Sequence, residues 1–335
     1  MNITYEREVG HCAKSNYVSE ITVKELISIE GADKIEVVQF EEKAWQAVVP
    51  KGRYQPGEKV MFIPPEVVLP FELSEKLGVT KYLSKGRVKL ARLRGASSQG
   101  LVVDTVIVEP YMEYLLQWED LPTVGMAGET LPRAETAMGF NIFYKIPSLM
   151  NEPDVLKPGE KIHISEKIHG TNTRLAFLAH PATGEHQLYV GTHNTVRRET
   201  DNDMYWRVVR ETLGDKVLPK DFIFYGEIYG KKVQHIQYDL SDQRLIVFAM
   251  MDLNGYYQNP AFVTKVCEER GISCVKFHEL VYENVDQLLA IANSPSEMYN
   301  GIREGIVTTS DLDSNRMAKV IGIKYLEGKD KTERH

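Results

Sequence analysis

The sequence predicts an α+β protein in three parts: a small β-barrel over residues 1–110, a connector over 111–140 and a larger mixed domain over 141–335. Three observations carry that prediction. Up to about residue 110 the chain is a series of short apolar runs separated by turn residues, the pattern of a small barrel. From 110 to 140 it shifts to Gly, Pro and acidic residues, as in Glu119-Asp120 and the stretch 125–130. Beyond 140, runs of strand period alternate with runs of helical period.

In the first part, strands are expected at 19–29, 34–40, 45–49, 59–64, 89–93 and 101–108. Gly31-Ala32-Asp33, Lys51-Gly52 and Gln55-Pro56-Gly57 break them with turn chemistry. From 81 to 94 the chain carries Lys81, Lys85, Arg87, Lys89, Arg92 and Arg94 with no acidic residue between them. In an acidic protein that local excess is a candidate track for a phosphate backbone, with Tyr82 available for stacking. A solvated loop followed by an edge strand protected by charge leaves the same pattern. One short helix is expected in the connector, around 111–118.

Composition narrows the classes. A chain of 335 residues suits two domains, and 43% hydrophobic with 26% charged residues is ordinary for a soluble globular protein. A net charge of -7 and a pI of about 5.8 exclude a global nucleic-acid-binding signature, so any such surface must be local. Cys12, Cys267 and Cys274 show neither a zinc spacing nor an even count, which fits a reducing cytoplasm. No apolar run approaches a membrane span and no signal-peptide pattern opens the chain, so no membrane partner is expected.

In the third part, 161–165 and 173–177 alternate like strands around the stretch Glu166-Lys167-Ile168-His169-Gly170-Thr171-Asn172, which places Lys167 at a tight turn. Gly170 lets the backbone turn or approach a ligand; Thr171 and Asn172 add a hydroxyl and an amide. A hairpin with a solvated lysine has the same pattern. Helices are expected at 203–213, 260–269 and 285–292, the last two capped by Asn259 and Asn284. The first would bury Met204, Trp206, Val208, Val209 and Leu213, which makes Trp206 core. The apolar strand at 222–230 ends with Glu227 next to Gly226, and a buried carboxylate there calls for a partner. Phe248, in the apolar run 245–252, reads as core on its own.

The stretch 166–172 resembles motif I of the covalent nucleotidyltransferases, the superfamily of ATP-dependent ligases and capping enzymes, and is most similar to the RNA ligase 2 group. Five further stretches follow in that superfamily's order: 189–198, 222–230, 245–252, 304–307 and 319–325. The resemblance implies the ligase and capping-enzyme catalytic fold, with ATP-grasp-like antiparallel sheets and flanking helices. It implies Lys167 as the nucleophile and Glu227, Glu304, Lys319 and Lys324 as catalytic partners, with Glu227 and Glu304 holding Mg2+ or Mn2+ through water. Nucleotide contacts are implied for Glu166, Ile168, Gly170, Asn172, Phe248, Arg197 and Lys145. His193 stands where an arginine is common, so Arg197 or Arg198 would fill that basic role; Met317 stands where the first of two alternating lysines is expected.

A second resemblance covers the other end. Gly31-Ala32-Asp33-Lys34-Ile35 and the stretch 89–101 are similar to the OB-type tRNA-binding module, which implies RNA contacts from Lys85, Arg87, Lys89, Arg92 and Arg94. An OB module ahead of the catalytic domain resembles the RNA ligase 5 branch. That implies a monomeric, ATP-dependent RNA ligase which seals nicked duplexes with RNA on the 3'-OH side. The competing readings are an RNA-binding protein with a degenerate nucleotide site, a capping-type guanylyltransferase and a DNA ligase; the latter two carry their OB domain after the last motif.

Overall fold

The computed structural model describes residues 18–117, 129–132, 135–137, 139–140, 146–193 and 195–332. The chain forms two compact units, Met1–Gly125 with Met150–Pro153 and Met126–Leu149 with Asp154–His335.

In the first unit the strands are β1 (Ser19–Ser28), β2 (Ile35–Phe40), β3 (Gln46–Pro50), β4 (Lys59–Ile63), β5 (Val67–Val68), β6 (Ala91–Leu93), β7 (Ala96–Ser98), β8 (Leu101–Val103) and β9 (Leu116–Gln117). Helices α1 (Phe71–Lys76) and α2 (Thr105–Val108) accompany them. Five strands form one antiparallel sheet in the order β3-β2-β1-β4-β8. Strand β1 serves two neighbours, β4 along its first half and β2 along its second, with a register shift between Val23 and Glu25. Such a bulge increases the twist that lets a sheet curl. The sheet nearly closes, because Gln99 N–H donates to the Gln46 carbonyl at 2.8 Å and Val48 N–H to Ser98 Oγ at 3.0 Å. Met61, Ile63, Val67, Leu73 and Val103 share a buried cluster in this unit.

The expected strand at 101–108 stops at Val103. Residues 105–108 are a helical turn in which Val108 is buried and Val106 is 74% exposed, a one-sided burial that a run of β-branched residues conceals in the sequence. The connector helix is a 3-10 segment, Glu109–Tyr114.

The second unit holds two antiparallel sheets. Its strands are β10 (Lys161–Lys167), β11 (Thr171–Ala179), β12 (His186–Gly191), β13 (Val196–Arg197), β14 (Phe222–Gly230), β15 (Gln243–Asp252), β16 (Phe277–Val281), β17 (Gly305–Ser310) and β18 (Met317–Ile321). One sheet runs β13-β12-β11-β14-β15 and the other β16-β10-β17-β18. Helix α3 (Met204–Leu213) and α4 (Pro260–Arg270) pack on one face of the five-stranded sheet, through Trp206, Val209 and Val263 against Leu175, Phe224 and Val247. Helix α5 (Val285–Ala292) covers the four-stranded sheet through Leu288 and Ala292 against Ile162, Ile164 and Val320. The expected caps are in place: Asn259 accepts from Ala261 N–H and Asn284 from Gln287 N–H, both at 2.9 Å. Trp206 is buried core. A further helix, α6 (Ile323–Thr332), begins where the sequence reading continued a strand.

Strands β10 and β11 lie in different sheets, so Ile168-His169-Gly170 is a crossing between sheets and not a hairpin turn. A Cβ at Gly170 would lie 2.2 Å from the Ile228 carbonyl oxygen, so the crossing passes flat against β14 where a side chain cannot fit. Among the described residues no helix is long and apolar enough to cross a membrane.

Candidate active site

Lys167 is the last residue of β10, and its Nζ lies 2.8 Å from Oε1 of Glu304, the residue just before β17. The other oxygen of Glu304 is 3.1 Å from His169 Nδ1, and His169 Nε2 is 2.9 Å from His235 Nδ1. Tyr325 OH, from α6, stands 3.3 Å from His169 Nδ1, and His169 N–H donates to Tyr238 OH at 2.6 Å. His169 and His235 have no role in the sequence reading. The stretch carrying His169 was singled out, but only the crossing turns its ring onto Glu304, and His235 enters from a loop without a motif.

Glu227 comes from β14, opposite Asn172 of β11. Burial pushes its carboxyl up to about 8; Lys167 and the N–H of Gly170 oppose that rise, and the neighbouring Glu304 adds to it. Burial acts on Glu304 in the same direction, yet the Lys167 ammonium and the hydrogen bond from His169 outweigh it and hold that carboxyl at about 2. One lysine thus serves two carboxyls: Glu304 takes the negative charge and Glu227 is pushed toward its protonated form, which marks a site short of positive charge.

Asn172 Oδ1 and the Nε and Nη1 of Arg174 are buried without hydrogen-bond partners among the described residues. Phe248 is the extra residue of a β-bulge, since Tyr225 pairs with Ala249 and Gly226 with Val247. Bulges re-aim side chains beside active sites; here the half-buried Phe248 packs on the cluster of Ile168, Ile246 and Val275. An aromatic face over apolar residues, an unsatisfied buried amide and a nearby lysine fit a purine nucleotide. The carboxyl oxygens of Glu227 and Glu304 fit a hard divalent cation such as Mg2+ or Mn2+. Among the described residues no group of three or more His, Cys, Asp or Glu side chains is arranged to hold a metal by itself, so water or phosphate would complete its shell.

The other sequence-derived residues fall in different places. Lys319 lies on β18, paired with Val307, and its N–H donates to the Pro147 carbonyl at 2.8 Å. Lys324 is not on that strand: β18 ends at Ile321, and Lys324 is exposed in the first turn of α6 with its N–H on Asn293 Oδ1 at 3.0 Å. The glycine and helix start after Ile321 break the alternation expected of a lysine pair. Both oxygens of Glu166 are taken by the loop before β17, Oε1 by Ser296 Oγ at 2.6 Å and Oε2 by Glu297 N–H at 2.7 Å. Arg197 is buried and donates through Nε to Asp203 Oδ2 at 2.9 Å, while Asp203 caps α3 by accepting from Trp206 N–H. That commitment assigns Arg197 to the helix start; Arg198 is the more exposed of the two. Lys145 lies outside the described residues.

The basic run of the first unit divides. Arg87 is buried, its Nη1 2.9 Å from Glu66 Oε2, and Lys89 Nζ is 3.7 Å from the other oxygen of Glu66. A charge count over 81–94 misses this because Glu66 lies outside the window. Lys85, Arg92 and Arg94 are exposed, the last two on the β6–β7 hairpin, and Lys81 Nζ stands 5.0 Å over the Tyr82 ring.

The family model described as RNA ligase matches residues 160–321, and one described as an OB-fold domain matches residues 18–105. Among curated proteins no relative matches. Among solved structures the chain resembles a mutant of Naegleria gruberi RNA ligase with ATP and Mn, at 20% identity, TM-score 0.77 and coverage of 96% of this chain and 99% of that one. The same enzyme with PPi aligns at 20% identity and TM-score 0.76, over 94% and 99% of the two chains. Another of its mutants, with AMP and Mn, aligns at 21% identity and TM-score 0.77, over 93% and 98%. At that identity the likeness to the solved structures is one of fold; the family models match an RNA ligase domain at 160–321, preceded by an OB-fold domain at 18–105.

Proposed function

We propose that the protein is an ATP-dependent RNA ligase that joins 3'-OH and 5'-phosphate ends through a lysyl-AMP intermediate, sealing nicks in duplexes with RNA on the 3'-OH side. One observation carries the reading: Lys167 is held by Glu304 at a crossing between two sheets, with Glu227 and Asn172 paired beside it. Lys167 attacks the α-phosphate of ATP and pyrophosphate leaves. The AMP passes to a 5'-phosphate end, and a 3'-hydroxyl displaces it. Each step is an in-line displacement at phosphorus, so the residues contribute position and charge. Glu304 orients the amine; Asn172 offers its amide to the nucleotide, Phe248 its ring to the base, and Lys319 a cation to the phosphate. A Mg2+ or Mn2+ ion held through water by Glu227 and Glu304 would supply the missing positive charge at the phosphate oxygens.

The solved neighbours carrying ATP, AMP, PPi and Mn support these ligands. In this reading residues 1–110 dock RNA through Lys85, Arg92 and Arg94, residues 111–140 connect, and residues 141–335 carry adenylyl transfer in a cytoplasmic monomer. The test is incubation with α-labelled ATP or GTP and Mg2+ or Mn2+, followed by denaturing electrophoresis and intact mass. An acid-labile AMP adduct, absent from Lys167→Ala, is expected. A GMP adduct would redirect the reading to capping, and sealing from ATP by Lys167→Ala would remove Lys167 as the nucleophile.

A further inference from the structure

We propose that His235 is a positioning residue of this site, fixing the ring of His169 and, through it, the orientation of Glu304 that holds Lys167. The proposal deepens the ligase reading and rests on it. Four side chains form one unbroken series: Lys167 Nζ to Glu304 Oε1 at 2.8 Å, Glu304 Oε2 to His169 Nδ1 at 3.1 Å, and His169 Nε2 to His235 Nδ1 at 2.9 Å. An ionised carboxylate only accepts, so His169 Nδ1 carries a proton and donates. Which nitrogen of an imidazole is protonated is set by the partner of the other one, and for Nε2 that partner is His235. Turned over, the ring would present carbon to Glu304 and leave a carboxyl oxygen unclaimed. Glu304 could then rotate and engage Lys167 with either oxygen, and the amine would lose its fixed direction.

The surroundings of His235 suit a fixed support. Its ring stacks on that of Tyr325, with centroids 5.8 Å apart and 22° between planes. Its loop, between β14 and β15, has three non-glycine residues in the left-handed region: Lys232 at φ 62°, and Tyr238 and Asp239 both at 55°. Such strain persists only where the surroundings over-determine the backbone. The same loop brings Tyr238, whose hydroxyl accepts from His169 N–H, so it holds His169 by main chain and ring together. Partners of this outer kind are worth about 10–100-fold in comparable metal sites.

The test uses the full chain with His235→Leu and His235→Asn. An asparagine amide can place a donor or an acceptor where Nδ1 stood; leucine offers neither. Single-turnover formation of the AMP adduct is expected to slow about 10–100-fold in the Leu variant, with KM for ATP unchanged, and to recover in the Asn variant. NMR of 15N-histidine-labelled protein is expected to show His169 Nδ1 protonated in wild type and Asn variant, and mixed tautomers in the Leu variant. Wild-type speed in the Leu variant, equal loss in both variants, or an unprotonated Nδ1 in wild type would each overturn the proposal. If wild-type protein forms no adduct at all, the ligase reading fails by itself. The tautomer of His169 still decides this proposal then: Nδ1–H retained without His235 refutes it, and its loss supports it.

Discussion

Replacing Glu227 by Gln should make the protein more stable and at the same time inactive. The carboxyl of Glu227 is raised from 4.5 to about 8, chiefly by burial. An acid whose folded pKa lies above its unfolded one contributes stability that is complete below the unfolded value and lost as pH rises through the folded value. At 1.36 kcal/mol per unit, the wild-type residue therefore costs about 2 kcal/mol at pH 6 and about 5 kcal/mol at pH 9. Glutamine has no proton to lose and so escapes this cost. With about 2–4 °C per kcal/mol for a unit of this size, the Tm advantage of Glu227→Gln should grow from about 4–8 °C at pH 6 to roughly 10–20 °C at pH 9. Melts followed by circular dichroism without nucleotide or divalent cation read this directly. AMP-adduct formation should be lost in the same preparation. A Tm difference that does not change between pH 5 and pH 9 would refute the reasoning, since it would mean that Glu227 ionises as easily folded as unfolded.

Other substitutions separate structural from functional roles. Gly170→Ala meets backbone at 2.2 Å and not a yielding side chain, so it should cost about 3 kcal/mol by overpacking and slow adduct formation, read by melts and single-turnover assay. Arg87→Ala leaves Glu66 with Lys89 alone and opens a gap in the barrel, so it should lower stability by about 1–3 kcal/mol while leaving the salt dependence of RNA binding unchanged. Arg92→Ala with Arg94→Ala should leave the melt unchanged, weaken binding of nicked RNA duplex, and reduce the slope of log K against log salt by about 0.9 per lost contact.

The barrel, most of its strands and the three main helices were legible because they rest on local signals: alternation, turn glycines, and caps such as Asn259 and Asn284. Lys167, Glu227 and Phe248 were legible as positions, and the pairing of Asn172 with Glu227 follows once their strands adjoin. What sequence could not supply was partnership across long separations. Glu66 takes Arg87 and Lys89 out of the basic track from outside its window. Asp203 takes Arg197, and Ser296 with Glu297 takes Glu166, each turning a motif residue toward its own scaffold. His235 lies 66 residues beyond His169, in a loop without a pattern, and only the fold brings their rings together.

Met317 shows how such a departure can be read physically. It shares with Lys319 one face of β18, opposite the core residues Ala318 and Val320, and so stands where an alternating strand would carry its first lysine. Its side chain is 5% exposed and lines a small cavity with Phe248, Phe277, Tyr257 and Thr309. Thioether sulfur fills such an aromatic gap well. An ammonium placed there without a carboxylate costs several kcal/mol, so Met317→Lys should lower the Tm of the free protein. If the cavity beside Phe248 borders the nucleotide, the phosphates of bound ATP supply the missing countercharge, and ATP should restore more stability to Met317→Lys than it adds to wild type. Equal shifts with ATP in both proteins would place Met317 away from the nucleotide.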